Sequence, residues 1–246
     1  MNPHKAYNIL LLAALAALPA HAQNGAEEKV LDVDFSVFPL ESSNWEGILY
    51  APDGDPKKGT QELRFNPHQR TLGFSYRGPA PIRFYREVIN EEGLTDFEIV
   101  GQVAPGTGVL RDDLILFFSP EKEDGPYDIS FMFDSPKAFP DESLVFFNSM
   151  NITFEGILGD KRFTLKPGAS APLDVSAFFD APTPIMLVLE HDNDYHRVLK
   201  NKVRFSPERR TLMILRSPKN PDSLRIRTQR LTEYTGPRGS TEEPGA

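Results

Sequence analysis

Pro79-Ala80-Pro81-Ile82-Arg83-Phe84-Tyr85 is the stretch on which the fold turns. Its two prolines cannot sit inside a helix, and a strand-length apolar run begins directly behind them. Working outward, the same rhythm appears on both sides. Leu63-Arg64-Phe65, Thr71 to Phe74, Asp113 to Phe118, Ile129 to Phe133 and Leu144 to Phe147 are short runs rich in Phe, Leu, Ile and Val. Ile185 to Leu189, Leu212 to Leu215 and Leu224 to Arg227 follow. The 22 prolines and 17 glycines lie between these runs as punctuation rather than in one linker. Short apolar runs at close spacing, bounded by turn formers, specify a β-sandwich or barrel. Beyond residue 22 no segment keeps a 3.6-residue apolar period over a helix length, so the fold class is all-β.

The opening stretch also returns. Pro79-Ala80-Pro81-Ile82 reappears as Pro182-Thr183-Pro184-Ile185, and Phe97-x-x-Val100 as Tyr195-x-x-Val198. Glu46-Gly47-Ile48-Leu49 recurs letter for letter as Glu155-Gly156-Ile157-Leu158, and Leu114 to Pro120 resembles Leu212 to Pro218. The four matches run in the same order, so the expectation is an internal duplication in which residues 46–49 overlie 155–158. The first copy is longer at Asp53–Gly59 and at Val88–Leu94, both of turn composition, and insertions belong in surface loops. This predicts two tandem immunoglobulin-like β-sandwich modules over residues 30–135 and 143–232, each of about 100 residues and seven or eight strands. The tail 235–246 is Gly, Pro, Ser and Glu without apolar anchors and is expected to be disordered.

In strand rhythm, and in the segments PIRFYRE (81–87), SLVFFN (143–148) and RFSPERRTL (204–212), the chain resembles uncharacterised exported bacterial β-rich proteins with two internal β-sandwich repeats. That group has no established activity, so the resemblance implies export and a β-fold and carries no site residue.

The first 22 residues read as a cleavable signal peptide. Lys5 supplies the positive start, Ile9 to Leu18 the apolar run, and Ala20-His21-Ala22 the small-x-small exit. Ten apolar residues are too few for a hydrocarbon core that needs about 20. The expected location is the periplasm or the medium, with no membrane span. The chain has no cysteine, so its stability must come from burial rather than disulfides.

Charge is lopsided. The whole chain carries −8, which disfavours nucleic acid as a partner. Yet residues 197–230 hold eleven Lys and Arg against two acidic residues. Lys202, Arg204, Arg209, Arg210, Arg225 and Arg227 are the centre of this stretch, and period-two spacing places 202 with 204 and 225 with 227 on common faces. Two readings follow: an intramolecular match to the acidic remainder, or a docking surface for an acidic envelope polymer or acidic partner protein.

Catalytic signatures are thin. Nucleophile-elbow, P-loop and dinucleotide patterns do not occur. Glu190, His191, Asp192, Asp194 and His196 have the right chemistry for a metal, but Asp192-Asn193 between two apolar runs is what a hairpin turn requires. No cofactor is expected. The reading is a non-catalytic exported protein, an envelope structural, adhesion or binding component. The alternative is a hydrolase acting on polysaccharide or peptide, with its site between the two copies.

Overall fold

The computed structural model describes residues 30–106, 110–121, 126–191, 194–220 and 222–236. The expected signal peptide, most of the tail and Asp192 lie outside them.

The first half builds two four-stranded sheets. Across one lie β4 (Thr71–Pro79), β1 (Val30–Pro39), β7 (Leu110–Pro120) and β8 (Tyr127–Phe133). Across the other lie β3 (Gln61–Glu62), β2 (Leu49–Tyr50), β5 (Ile82–Ile89) and β6 (Thr95–Val103). In the second half, β12 (Gly168–Ala169), β9 (Ser143–Asn148), β16 (Arg209–Arg216) and β17 (Arg227–Tyr234) form one sheet, with β13 (Leu173–Asp174) also on β9. The last sheet is β11 (Lys161–Leu165), β10 (Phe154–Leu158), β14 (Thr183–His191) and β15 (Asp194–Val203). One 3-10 turn, Ser176–Phe178, is the sole helical piece among the described residues. The molecule is all-β.

The strand order of the first half recurs in the second, with β12 and β13 together standing where β4 stands. Each half has the size and two-sheet build of an immunoglobulin domain but its own order: the first strand lies between the fourth and the seventh, parallel to the seventh. Two bulges lie at matched places. On β6, Val100 is the extra residue between the pairs Phe84↔Gly101 and Tyr85↔Ile99. On β15, Val198 is extra between Leu187↔Leu199 and Val188↔Arg197. Both valines are buried. A bulge turns an additional side chain inward at one place only, so it pins the equivalence of Phe84 with Leu187.

That equivalence corrects two of the sequence matches. Tyr50 pairs with Phe84, and Gly156 pairs with Leu187, so Leu49-Tyr50 corresponds to Glu155-Gly156. The two identical tetrapeptides are therefore three residues out of register, though they belong to corresponding strands. Their glycines have different roles. Gly47 precedes β2 at φ +69° with its N–H bonded to the Glu62 carboxylate. Gly156 lies within β10, where a Cβ would overlap the Phe163 ring. The match of Leu114–Pro120 with Leu212–Pro218 is one residue out. Leu114 faces the core of the first half, whereas Leu212 faces the layer between the halves, and a one-residue slip flips every side chain.

Three apolar layers hold four sheets. Side chains of β1, β2, β4, β5, β6, β7 and β8 fill the first sandwich, with Phe84 and Phe118 at its centre. Strands β9, β10, β14, β15 and β16 fill the second, around Phe146, Phe154 and Leu187. The third layer joins the halves. Phe38, Phe117, Val145, Phe147, Leu212 and Ile214 pack between the two inner sheets, with Phe117 and Phe147 stacked at 3.7 Å between ring centroids. Central strands β7, β9 and β16 are thus covered on both faces, which is why they hold unbroken apolar runs, whereas β1 alternates over Leu31–Phe35 and is covered on both faces only beyond it. The stack runs outer sheet, inner sheet, inner sheet, outer sheet.

Candidate functional site

The junction between the halves carries a polar cluster that sequence reasoning missed. Arg70 and Asp134 come from the first half, Arg210 and Glu233 from the second. Arg70 pairs with Asp134, and its Nε lies 2.6 Å from Glu233 Oε1. Arg210 lies 2.8 Å from Asp134 and 2.8 Å from Glu233. Asp134 Oδ1 meets Arg210 as an ion pair, not as an aligned hydrogen bond. Each arginine thus faces two carboxylates and each carboxylate two arginines. Arg210 also donates to the Phe139 carbonyl at 3.1 Å, and its guanidinium lies 4.4 Å from that ring's centroid. Burial opposes the Arg70 charge, but Glu233 and Asp134 outweigh it and hold the guanidinium above its ordinary value. Arg70 is 64 residues from Asp134 and 163 from Glu233, so no local spacing rule could have paired these, whereas Arg210 and Glu233, 23 residues apart, face each other across the β16–β17 ladder.

Clefts open on both sides of this cluster. One, of about 550 Å³, is lined by Asp34, Ser36, Arg70, Asp113 and Asp134. The other, of about 560 Å³, is lined by His68, Arg70, Arg210, Arg230 and Tyr234. Burial, and then the charges of Asp134 and Asp34, push the Asp113 carboxyl above the usual aspartate range. The Ser36 hydroxyl donates to the Leu114 carbonyl at 3.3 Å and accepts from Arg70 at 3.4 Å.

The six basic residues read from the sequence do not form one patch. Arg210 belongs to the cluster just described. Arg227 lies at the other end of the β16–β17 pair, where it ion-pairs with Glu41 of the first half and donates to the Ser217 carbonyl at 2.7 Å. Its neighbour Arg216, not singled out from the sequence, bonds the Leu40 carbonyl. Gln229 reaches the Pro67 carbonyl at 2.7 Å. The basic stretch therefore clamps the first half at both ends of β16 and β17. Lys202, Arg204, Arg209 and Arg225 are exposed. Lys202 stands on the outer face of β15, while Arg209 lies over the Tyr234 ring at 5.8 Å.

The acidic and histidine cluster lies on the β14–β15 hairpin. His191 pairs with Asp194, Glu190 with Tyr195 and Leu189 with His196. Successive residues of a strand face opposite ways, so Glu190 points away from His191, Asp194 and His196. The two imidazoles are 6.1 Å apart between centroids. Among the described residues no group of three or more His, Cys, Asp or Glu is placed to hold a metal ion. No described helix is long and apolar enough to cross a membrane.

No family model matches the chain, and no curated protein matches it.

Proposed function

We propose that the protein is an exported, non-catalytic envelope component that binds an acidic envelope polymer or an acidic partner protein through its exposed cations. The observation that carries this reading is the division of labour among the basic residues. Arg70, Arg210 and Arg227 are matched by carboxylates across the junction, whereas Lys202 and Arg204 project from the second half and form no ion pair among the described residues. Exposed cations that are not matched at close range raise the local concentration of polyanions and steer their approach. The reading includes the descent of the two halves from one duplicated module, supported by their common strand order and matched bulges.

The test is retention on an immobilised anionic polysaccharide at low and high salt, comparing the native protein with Lys202→Ser/Arg204→Ser. Retention should fall with salt, since the Debye length shrinks to about 8 Å at physiological ionic strength, and should fall in the variant. Equal retention of both proteins rejects the reading.

A second reading, a hydrolase working at the junction, draws on Asp113. A carboxyl held above its usual range at a cleft wall is what a general acid needs. Release of new chain ends from an envelope polysaccharide, lost in Asp113→Asn, would establish it in place of the first.

A further inference from the structure

Four exposed large apolar side chains, Ile89, Leu94, Ile99 and Tyr195, lie on or beside the two outer sheets. In the first half, Phe84 points into the core, so Tyr85, Glu87 and Ile89 of β5 point outward. Across the ladder Ile99 pairs with Tyr85 and Phe97 with Glu87, which places both on the same outer face, and the Tyr85 and Phe97 rings are 6.2 Å apart. Ile89 is 69 % exposed, Leu94 59 % and Ile99 51 %. Two of these, Ile89 and Leu94, flank the turn of the β5–β6 hairpin, the part that the second half lacks: its counterpart β14 and β15 are joined by two residues only. The surroundings are acidic. Glu62 and Glu87 share the face, and Glu91, Glu92, Asp96 and Glu98 line the hairpin and its edge, against the cations Arg83 and the exposed Arg64.

The outer face of the second half is built on the same positions with the opposite charge. Ile157 pairs with Met186, and Val188 and Pro184 continue the apolar line along β14. Two shallow troughs, of about 590 and about 280 Å³, share Ile157 and Met186. Tyr195, 63 % exposed, closes one end. Four cations rim this line. Lys202 stands opposite Pro184, Lys200 opposite Met186, Arg197 opposite Val188 and Arg162 opposite Ile157. Its acidic members are Glu155, held by the Thr164 hydroxyl at 3.0 Å, and Glu190 beside Tyr195.

We propose that these two faces are the two sides of one interface, so that the β5–β6 face of one copy docks on the β10–β14–β15 face of a second copy of this chain. The inference rests on the reading of the cationic surface as a docking surface and names its acidic partner. Apolar stripes of similar make meet, and the acidic hairpin lies against the lysines and arginines. A pairing of either face with itself would set like charges together, which opposes it. The two faces are the opposite ends of the four-sheet stack. After one contact each copy still has one free face, and the pair has one of each kind, so the contact is head-to-tail and builds a row or a closed ring rather than a simple dimer.

Sedimentation of the purified protein over a wide concentration range tests this. The native chain should grow past the dimer as concentration rises, and salt should weaken the growth. Ile89→Ser/Ile99→Ser removes the apolar stripe of the acidic face, and Lys200→Glu/Lys202→Glu reverses the cationic face. All four positions are exposed or outward-facing, and an unchanged β-type circular dichroism spectrum confirms folding. Each variant alone should sediment as a monomer. Mixed together they retain one good acidic face and one good cationic face, so a one-to-one complex that grows no further should form. A native protein that stays monomeric throughout overturns the proposal, as does a mixture that yields no complex. A variant that still associates on its own points to a same-face dimer and also overturns it. A monomer that binds anionic polysaccharide with the expected salt dependence refutes self-docking while leaving the proposed function standing. A monomer that fails on polysaccharide as well refutes both.

Discussion

The two inner sheets and the two outer sheets meet opposite surroundings, and their central strands differ accordingly. Strands β7 and β9 of the inner pair bury every side chain from Leu114 to Phe118 and from Ser143 to Asn148. Their neighbours across the junction are another sheet, and the ends of that junction are closed by Arg210 with Asp134 and by Arg227 with Glu41. The outer sheets bury one face only and leave Ile99, Met186 and Tyr195 turned away from the body of the molecule. The difference shows that strand make-up follows the position of a sheet in the stack: strands covered on both faces are apolar throughout, while those at the outside alternate and leave their outward apolar residues exposed.

The sharpest break in that comparison would come at the inner layer. Phe147→Ala should cost about 3–5 kcal/mol in denaturant unfolding, because it empties a ring-sized volume stacked on Phe117. A cost below about 1 kcal/mol would mean that the halves do not share a core. Next in size is the ionic junction. Arg210→Ala leaves Asp134 and Glu233 with Arg70 alone, and should destabilise by about 2–3 kcal/mol, below the fully buried case because water reaches the site. If the loss is screened away by salt, the cluster behaves as a surface pair and the contrast between junction and exterior disappears.

The outer faces should respond in the reverse sense. Ile99→Ser is expected to change stability by no more than about 0.5 kcal/mol while reducing self-association, so stability and assembly separate at this residue. The smallest effect belongs to Asp113. A carboxyl whose folded pKa lies above its unfolded value loses stability on ionising. Asp113→Asn should therefore stabilise the protein at neutral pH, by less than about 0.5 kcal/mol for so open a group, and the gain should fade as pH drops below about 4. A gain that instead grew in acid would place Asp113 in a favourable ion pair.

How far the fold could be read ahead of the structure depended on the range of each signal. Prolines 81 and 184 stand at the starts of corresponding strands, and the match of Val100 with Val198 aligns the two residues that the structure turns into bulges, because turn and strand chemistry act over a few residues. Glu46–Leu49 and Glu155–Leu158 misled for the same reason. Identical letters allow both a positive-φ turn at Gly47 and an extended strand at Gly156, and the choice was made by Glu62 in one place and Phe163 in the other. The runs Leu114–Phe118 and Leu144–Phe147 read as strands, but their burial on both faces, each covered by the other half, became visible only in the structure.

Among the cations the limit is the same. The charge division between residues 197–230 and the remainder is plain in the sequence. Which cations stay exposed is not, since Arg210 finds Asp134 and Arg227 finds Glu41 only after the inner sheets have stacked. From the chain alone follow the all-β class, the order of the turns and the surplus of positive charge near the end, all consequences of local chemistry. The strand register, the shared core and the partner of each arginine were decided by tertiary structure, because they join residues that are distant in sequence and that meet only when four sheets pack together.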